Sequence, residues 1–313
     1  MAEPGASSGA LRSGALRSGA VALVGRPNAG KSTLLNLLLA EKLAIVSSKP
    51  QTTRTRIVGI LTEPRGQIVF YDTPGVHKPL HHLNRLMLQE AEAALDAADV
   101  VCLLVDVAQP SGRGDAFVLD FVARARAPRL LLLNKIDLVR KDRLLPRIAE
   151  YAERGLFEEI VPVSAATGDG ADRVLDLLFA RLPEGEPLHD PELLTIHPER
   201  FLVAERIREK VLERTEEEVP FASAVLVERW EEEPGRDLVR IYASILVERE
   251  GQKKIMVGAG GSRIKDIGTA ARLDLEEYLA RPVFLQLHVR VEPAWRENPR
   301  ILAELEREAR LNG

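Results

Sequence analysis

The sequence predicts an α/β domain whose mostly parallel sheet carries helices on both faces, followed by a smaller α+β domain. Three observations predict this arrangement. Apolar, strand-like runs alternate with helical patterns from residue 20 to residue 182. A glycine-rich loop, Gly25 to Ser32, separates the first of these runs from the first helical pattern. After a proline-rich break, a second set of elements follows in a different order. Strands that alternate with helices are typical of a parallel sheet.

The first domain is expected to alternate between strands and helices along its whole length. The predicted strands lie near residues 20–25, 56–63, 66–72, 100–107, 129–134 and 160–164. The predicted helices lie near residues 31–40, 84–98, 115–126, 142–154 and 170–181. The sequence Pro64-Arg65-Gly66 lies between two β-like runs, which indicates a hairpin turn and one antiparallel pair in the sheet.

Composition changes predict where the domains begin and end. The chain opens with a tandem repeat of Ser-Gly-Ala-Leu-Arg, whose small residues bury too little surface to order a chain. The stretch from Pro183 is polar and rich in proline, as linkers often are. The expected divisions are a disordered N-terminal extension over 1–19, the α/β domain over 20–182, a linker over 183–198, the α+β domain over 199–295, and a tail with a charged helix over 296–313.

Length and composition exclude several classes of protein. With 313 residues and 45% apolar residues, the chain is long enough for two cores. The single cysteine, Cys102, excludes a disulfide framework and fits a reducing cytosol. No apolar stretch approaches the length of a transmembrane helix, so no transmembrane segment is expected. The net charge of −4 gives no overall sign of nucleic-acid binding, so local charge must decide.

The loop Gly25-Arg26-Pro27-Asn28-Ala29-Gly30-Lys31-Ser32 matches the pattern GxxxxGKS between a strand and a helix. Glycines let the backbone wrap a polyphosphate, and the helix N-terminus supplies unpaired N–H donors. Lys31 adds a cation, and Ser32 adds a Mg²⁺ ligand. The loop therefore predicts a nucleoside triphosphate site. Its expected phosphate-binding residues are Asn28, Ala29, Gly30, Lys31, Ser32 and Thr33.

The sequence Asp72-Thr73-Pro74-Gly75 directly follows a predicted strand. A strand there delivers its carboxylate to the phosphate end of a parallel sheet. Asp72 is expected in the Mg²⁺ shell, and the Gly75 N–H can meet the γ-phosphate because no side chain stands in the way.

Two further motifs predict a guanine site. Asp137, in Asn134-Lys135-Ile136-Asp137, can accept from both the ring N–H and the exocyclic amine of guanine. Adenine lacks that amine and would leave an acceptor unpaired, which costs about 1–3 kcal/mol. Asn134 is expected to contact the purine edge and to tie loops together, and the Lys135 stem to lie over the base. In the turn Ser164-Ala165-Ala166, a backbone N–H is expected to reach the guanine carbonyl.

In this order, the four motifs resemble those of GTPases of the translation-factor-related class. The resemblance implies switch regions at about 44–55 and 74–86, and it implies that Thr53, in Gln51-Thr52-Thr53-Arg54, binds Mg²⁺ in preference to Thr52. Asn28 resembles an asparagine that helps to hold a monovalent cation, so a K⁺ requirement is a hypothesis. Val76 stands where small signalling GTPases carry a water-orienting glutamine, which predicts a low intrinsic rate. The expected catalytic residues are Asn28, Lys31, Thr53 and Gly75.

The second domain is expected to have the order α-β-β-α-α-β. The predicted elements are a helix over Glu199–Arg214, strands over Phe221–Glu232 and Leu238–Glu248 joined by a turn at Pro234-Gly235, an element over Lys253–Val257, a helix that begins near Ser262, a further helix over Ala270–Leu279, and a strand over Val283–Val291. This order, with Gly258-Ala259-Gly260-Gly261 between the middle helices, resembles the bacterial, type II form of the KH domain.

The KH resemblance implies single-stranded RNA binding, with the glycine loop against the sugar-phosphate backbone and bases over an apolar groove. Glycine leaves clearance for phosphate because it has no Cβ. From Arg249 to Arg272 there are six basic and two acidic residues, a local charge of +4. Ala259 departs from related loops, which often carry a basic residue there. The expected RNA-binding residues are Lys253, Lys254, Gly258, Ala259, Gly260, Gly261, Arg263 and Lys265.

From about Ser18 to Trp295 the chain resembles the Era family of GTPases. This resemblance implies GTP and GDP as ligands, Mg²⁺ as cofactor, and binding of the 3′ end of 16S ribosomal RNA during maturation of the 30S subunit. It also implies a cytoplasmic protein with peripheral contact to the inner face of the cell membrane. The alternatives are a regulatory GTPase whose C-terminal domain binds a protein, and a metabolic or transport NTPase, for which no second catalytic pocket is evident.

Overall fold

The structure is a computed structural model that describes residues 15–49, 51–79, 81–110, 112–232, 235 and 237–309. Five predictions fall partly outside these residues: the N-terminal extension at 1–14, the first switch region at residue 50, the second at residue 80, the turn at Pro234, and the tail at 310–313. The described chain contains two sheets, one of six strands and one of three.

The first sheet is mostly parallel. Its strands are β1 (Arg17–Gly25), β2 (Ile57–Glu63), β3 (Gly66–Asp72), β4 (Val100–Asp106), β5 (Arg129–Asn134) and β6 (Glu159–Pro162). Across the sheet their order is β2-β3-β1-β4-β5-β6, and β2 with β3 is the antiparallel hairpin that the sequence predicts. The helices between them are α1 (Lys31–Leu39), α2 (His82–Ala97), α3 (Arg113–Val122), α4 (Lys141–Ala152) and α5 (Ala171–Arg181). The predicted α/β fold is confirmed.

The side chains of β1 alternate between two apolar cores. Val21 and Leu23 belong to the core that contains α1 and α5, whereas Ala22 and Val24 belong to the core that contains α2 and α3. All four side chains are fully buried. A strand covered on both faces must be apolar on both faces, which is why β1 reads as a continuous apolar run. The carboxyl ends of the parallel strands therefore meet at one edge, where the predicted motifs follow them.

Strand β1 begins at Arg17, so the prediction that residues 1–19 are disordered is wrong for residues 17–19. These residues pair with residues 66–68 of β3. Arg17 also donates a hydrogen bond to the Leu182 carbonyl at 2.7 Å. Gly19 fits because a Cβ there would come within 2.6 Å of the Asp99 carboxylate. Residues 17–19 show no apolar pattern in the sequence, and they are ordered here by pairing with β3 and by the Arg17 bond to Leu182.

Residues 183–198 contain no helix and no strand of a named sheet, yet they lie against β2 and β3. The Ile60 amide donates to the Leu194 carbonyl at 2.8 Å. Thr195 donates its hydroxyl to the Val58 carbonyl at 2.6 Å. Gln67 bonds the backbone of His189 in both directions. The segment predicted as a linker is thus attached to the first sheet along part of its length.

Three helices pack on one face of the second sheet, as the predicted α+β order requires. Its strands are β7 (Ala224–Glu232), β8 (Val239–Val247) and β9 (Val283–Val291), and its helices are α6 (Glu199–Arg214), α7 (Glu250–Val257) and α8 (Ser262–Leu279). β7 with β8 is antiparallel, and β8 with β9 is parallel. The predicted break before Ala270 is wrong, because α8 is one continuous helix and Gly268 lies within it.

The charged helix predicted in the tail packs against α2 and against the second sheet. Its helix α9 (Pro299–Ala309) buries Leu302 in a cluster with Leu83 and Met87 of α2, Leu226 of β7, and Trp295. The Trp295 ring is fully buried. None of the helices in the described part of the chain has the length and apolarity that crossing a lipid bilayer requires.

Candidate functional site

Two glycines at the phosphate loop, Gly30 within it and Gly75 against it, stand where side chains would collide. Gly30, the N-cap of α1, has a φ of 95°, and a Cβ there would lie 2.2 Å from Asn134 Nδ2. A Cβ on Gly75 would lie 2.6 Å from the Pro27 nitrogen. The amides of residues 31–33 open α1, so no carbonyl of that helix accepts from them. The loop therefore presents a row of N–H donors, as a phosphate cradle needs.

Lys31 lies under this loop and is only 5% exposed. Its Nζ donates to the carbonyls of Arg26 at 3.1 Å and Gly25 at 3.4 Å. Burial lowers the pKa of Lys31, and the nearby Asp72 carboxylate opposes that shift. A buried ammonium held by two carbonyls is poised to donate to a phosphate oxygen.

Three oxygen-bearing side chains meet beside Lys31. The hydroxyls of Ser32 and Thr53 lie 2.9 Å apart, and Asp72 Oδ2 lies 2.6 Å from the first and 3.5 Å from the second. The other carboxylate oxygen, Oδ1, is buried and has no hydrogen-bond partner among the described residues. Burial raises the pKa of Asp72 to about 6 despite Lys31 and both hydroxyls. A hard divalent cation such as Mg²⁺ fits this oxygen-only set, because it would compensate the orphaned oxygen.

Asn28 joins the phosphate loop to the first switch region. Its φ is 62°, and its side-chain Nδ2 donates to the Ser48 carbonyl at 2.5 Å. A cavity of about 220 Å³ lies over the N-terminus of α1 between these two segments. Of the predicted residues, its lining contains Asn28, Gly30, Lys31, Ser32, Thr33, Thr53, Gly75 and Lys135. Ala29 is buried behind the loop. Ser48 was not predicted, because its contribution is a backbone carbonyl.

Val76 points into the protein. Its side chain is 2% exposed and belongs to the core that contains α2 and α3, while its amide donates to the Gly25 carbonyl at 3.0 Å. The side chain at position 76 therefore does not orient a water molecule at this site.

The predicted guanine residues form a second hydrogen-bonded group. Asn134 ties two loops as predicted: its Nδ2 donates to the Ala29 carbonyl at 2.8 Å, and its Oδ1 accepts from the Ala165 amide at 2.9 Å. Ser164 donates its hydroxyl to Asp137 Oδ1 at 2.6 Å. The Ser164 amide donates to the Asp169 carbonyl, so it does not face a base. Of the three amides at 164–166, only that of Ala166 has no hydrogen bond to the described residues.

Lys135 has a partner that the sequence analysis did not identify. Its Nζ lies 2.7 Å from Asp106 Oδ2, at the end of β4. Its φ of 69° turns the chain between β5 and the short turn that carries Asp137. The ion pair holds the Lys135 side chain against the end of β4, two residues before Asp137 in the sequence. The available signal was the position of Asp106, since it ends a strand that neighbours β5.

The glycine loop of the second domain is open to solvent. A Cβ added to Gly260 or Gly261 would meet no atom within 4 Å, although φ is positive at both, at 57° and 81°. Gly258 differs, since a Cβ there would lie 2.8 Å from the Arg263 Cβ. The loop thus has one glycine for packing and two that leave the backbone accessible to a polymer.

Basic side chains flank this loop on both sides. Lys253 and Lys254 come from the last turns of α7, and Arg263 and Lys265 from the first turns of α8. Arg263 donates to the Ile255 carbonyl at 2.9 Å, which ties the two helices together. None of the three lysines forms an ion pair with a described residue. Ala259 is exposed within the loop. The predicted RNA-binding residues therefore lie in the glycine loop and in the turns of α7 and α8 on either side of it.

Contacts between the first switch region and α6 escaped the sequence analysis. Glu209 accepts from the Val46 amide at 3.0 Å, and Arg208 donates to the Thr52 carbonyl. These pairs are more than 150 residues apart in sequence, and no local pattern signals them.

Comparisons with known proteins agree with this geometry. Residues 20–135 match the family model described as 50S ribosome-binding GTPase, and residues 218–296 match that of the KH domain. The chain is 48% identical over 285 residues to GTPase Era of Geobacter metallireducens, which covers 91% of this chain and 96% of that relative. It is 45% identical to GTPase Era of Leuconostoc citreum, over 91% of this chain and 94% of the relative.

Two solved structures are similar over nearly the whole chain. One is Era in complex with MgGDPNP and nucleotides 1506–1542 of 16S ribosomal RNA, with a TM-score of 0.90, 38% identity, and coverage of 93% of this chain and 98% of that one. The other is an Aquifex aeolicus Era variant bound to GDP and AlF4⁻, with a TM-score of 0.89, 38% identity, and coverage of 93% and 99%. The chain belongs to the Era family of GTPases.

Proposed function

We propose that this GTPase binds GTP and GDP with Mg²⁺, grips the single-stranded 3′ end of 16S ribosomal RNA through its KH domain, and acts in maturation of the 30S subunit. The observation that carries the RNA part is the open glycine loop, whose two accessible glycines lie between the basic ends of α7 and α8. The relative solved with MgGDPNP and 16S ribosomal RNA nucleotides supports the same pair of ligands.

In the nucleotide site, the amides at the start of α1 and the Lys31 ammonium would bind the β- and γ-phosphates. Ser32, Thr53 and Asp72 would hold Mg²⁺, Asp72 through the oxygen that lacks a partner. When bound, that ion neutralises charge on the phosphate oxygens. The Gly75 amide would meet the γ-phosphate. Asp137 would accept from guanine, and the Ala166 amide is the donor left for the guanine carbonyl.

We also propose a K⁺ requirement at Asn28, because this side chain links the phosphate loop to the Ser48 carbonyl. Amide and carbonyl oxygens are suitable ligands for a large monovalent cation. With Val76 buried, some other group or ion must assist hydrolysis, and a low rate in its absence follows. Equal turnover in K⁺ and Na⁺ buffers would remove the K⁺ proposal.

In the KH domain, the backbone of Gly260 and Gly261 would approach phosphates, with Gly258 and Ala259 completing the loop. Lys253, Lys254, Arg263 and Lys265 would supply the positive field. The exposed Ile255 side chain, beside the loop, offers apolar surface for a base. A salt-dependent affinity for single-stranded RNA is the expected signature.

The two sites would be coupled through the switches. A γ-phosphate would order the first switch region, and the ordered region would favour the domain arrangement in which RNA binds. Hydrolysis would remove those contacts and release the RNA. A cytoplasmic location with peripheral contact to the inner membrane face completes the proposal.

The test is filter binding of RNA that carries the 3′ end of 16S ribosomal RNA, with GDP and with a non-hydrolysable GTP analogue, across a salt series. We expect tighter binding with the analogue and a decline in affinity with salt. Equal affinity in both nucleotide states would refute the coupling. No RNA binding at low salt would favour the alternative, a regulatory GTPase whose C-terminal domain binds a protein partner.

A further inference from the structure

The described residues of the first switch region, 44–49 and 51–55, are bonded at several points to α6 and to the connection that follows it. The Val46 amide donates to Glu209 at 3.0 Å, and Lys49 Nζ donates to the Thr215 carbonyl. Arg54 donates through Nη1 to the Ser223 carbonyl at 2.6 Å and through Nη2 to two more carbonyls of the same turn. In this arrangement the switch region is part of the interface between the two sheets.

Thr53 lies between two of these attachments. On its N-terminal side, Arg208 of α6 donates to the Thr52 carbonyl. On its C-terminal side, Arg54 is anchored to the connection between α6 and β7. Thr53 itself is 8% exposed, and its hydroxyl lies 2.9 Å from that of Ser32. The peptide units on both sides of the proposed Mg²⁺ ligand are thus fixed from outside the nucleotide site.

Arg208 is well suited to a positioning role. Its side chain is 3% exposed, and Glu205, one turn earlier on α6, accepts from its Nε at 2.7 Å and its Nη2 at 2.6 Å. This ion pair fixes the guanidinium plane, so the direction of its bond to the Thr52 carbonyl is fixed as well. Without Arg208, the Thr52 carbonyl would lose a charge-assisted bond that water could replace only if the interface opened.

Burying these two guanidinium groups also has a cost. Arg208 Nη1 and Arg54 Nε are buried without hydrogen-bond partners among the described residues. Burial, together with the nearby Arg208, lowers the pKa of Arg54 to about 9. The Arg54 guanidinium lies 5.5 Å from the Trp295 ring centroid, which offsets part of this cost. Two like charges with unpaired N–H groups are expensive to keep buried.

We propose that Arg208 is a positioning residue for the nucleotide site: by holding the Thr52 carbonyl, α6 keeps the Thr53 hydroxyl where it can bind Mg²⁺. Metal affinity in the triphosphate state and the hydrolysis rate then depend on a side chain that touches neither nucleotide nor metal. Motion of α6 relative to the first sheet changes both. The inference rests on the proposed GTPase site, in which Thr53 is a Mg²⁺ ligand.

The experiment compares Arg208→Gln with Arg206→Gln in the full chain. Arg206 is a matched control, because it also lies on α6, is buried, and donates across the interface, to the Lys42 carbonyl at 2.7 Å, yet it does not flank Thr53. Mn²⁺ replaces Mg²⁺ as the probe. The electron paramagnetic resonance signal of free Mn²⁺ is followed as protein and a non-hydrolysable GTP analogue are added, and single-turnover hydrolysis is measured against Mg²⁺ concentration.

We expect Arg208→Gln to raise the Mn²⁺ dissociation constant and the half-maximal Mg²⁺ concentration by about tenfold. GDP affinity measured in a chelator should stay within about twofold of the parent value, since Thr53 does not contact GDP in this scheme. Arg206→Gln should leave both metal constants within about twofold while lowering the melting temperature. If the role of Arg208 were purely structural, both variants would change the two metal constants by similar amounts.

Two results would overturn the inference: equal metal constants in both variants, or an unchanged Mn²⁺ constant in Arg208→Gln. If Arg208→Gln does not fold, Arg208→Lys is used instead, because lysine keeps the charge but lacks the fixed guanidinium plane. The Mn²⁺ dissociation constant and the half-maximal Mg²⁺ concentration of that variant then test the inference. Failure of the proposed function looks different, because the parent chain itself would then show no metal-dependent GTP hydrolysis.

Discussion

The Ser164 hydroxyl donates to Asp137 Oδ1 at 2.6 Å, so the turn predicted to face the guanine carbonyl also orients the carboxylate predicted to select guanine. A carboxylate has two oxygens, and this bond occupies one lone pair of one of them. Enough acceptor capacity remains for two guanine N–H groups. The two motifs are therefore one recognition unit built from the ends of β5 and β6.

Asp137→Asn should relax the preference for guanine. The amide offers one donor and one acceptor where guanine needs two acceptors, so GTP affinity should fall by about 1–3 kcal/mol. Xanthine carries a carbonyl in place of the exocyclic amine, so affinity for XTP should rise. Competition against a fluorescent nucleotide measures both. Ser164→Ala is the comparison, because it keeps the carboxylate and removes only the bond that orients it, so its GTP preference should fall less than that of Asp137→Asn. Undiminished preference for GTP in Asp137→Asn would contradict the assignment.

Lys31→Ala should abolish triphosphate binding and leave the fold intact. The ammonium lies under the phosphate loop, bonded to the carbonyls of Arg26 and Gly25, and its loss leaves the loop amides without a counter-charge for the γ-phosphate. Because the Lys31 stem is buried, Lys31→Met is the matched variant that keeps packing and removes only charge. Calorimetric titration with a GTP analogue and thermal melting by circular dichroism give the two readouts. Retained affinity in either variant would exclude this role for Lys31.

The sequence was sufficient for the first domain because its signals are local. The loop at Gly25–Ser32 and the motifs at 72–75 and 134–137 each follow an apolar run directly, so strand order brings them together. Ser32 and Asp72 follow from the same logic, whereas Thr53 was expected beside them only from the resemblance to related GTPases. The hydrogen-bond pattern of the 164–166 turn could not be predicted, because it depends on which of the three backbone amides already donate to groups within the protein.

The interface could not be predicted, because its signals are tertiary. Arg17 to Gly19 look unstructured until they pair with β3, and α9 looks like a solvated charged helix until Leu302 meets α2 and Trp295. Arg208 reads as one charge among many on α6. Its partner is the backbone carbonyl of Thr52, and because every residue has such a carbonyl, the sequence does not indicate this contact.

Mg²⁺ affinity should weaken as pH falls through about 6. Burial raises the pKa of Asp72 from 3.8 to about 6 in the metal-free protein. A raised pKa means that this group stabilises the metal-free fold fully below pH 3.8 and ceases to do so as pH rises through about 6. Mg²⁺ binds the ionised form, so binding releases a proton near pH 6. Half-saturating Mg²⁺ should be higher at pH 5.5 than at pH 7.5.

The control for this pH effect is Asp72→Asn, which cannot titrate. Its Mg²⁺ affinity should be low and independent of pH over the same range. An equal pH dependence in this variant would assign the effect to another group, such as the γ-phosphate.

Val76→Gln should not raise the rate of GTP hydrolysis. Position 76 is buried in the core with α2 and α3, so a glutamine there would place an amide among apolar side chains instead of beside a water molecule. An unsatisfied buried amide costs about 1–3 kcal/mol, and the melting temperature should fall accordingly. Val76→Leu provides the apolar control. A faster single-turnover rate in Val76→Gln would show that the switch turns this position outward during hydrolysis.

Gly260→Asp and Gly260→Asn separate charge from backbone geometry at the glycine loop. Gly260 has a φ of 57°, which asparagine and aspartate both tolerate better than other residues, and a Cβ there meets no atom within 4 Å. The two variants should therefore fold alike and hydrolyse GTP alike. Aspartate places a negative charge beside the proposed RNA phosphates, so its RNA dissociation constant should exceed that of the asparagine variant by about tenfold at low salt, and less at high salt. Equal RNA affinity of the two variants, measured by filter binding across the salt series, would show that phosphates do not approach this glycine.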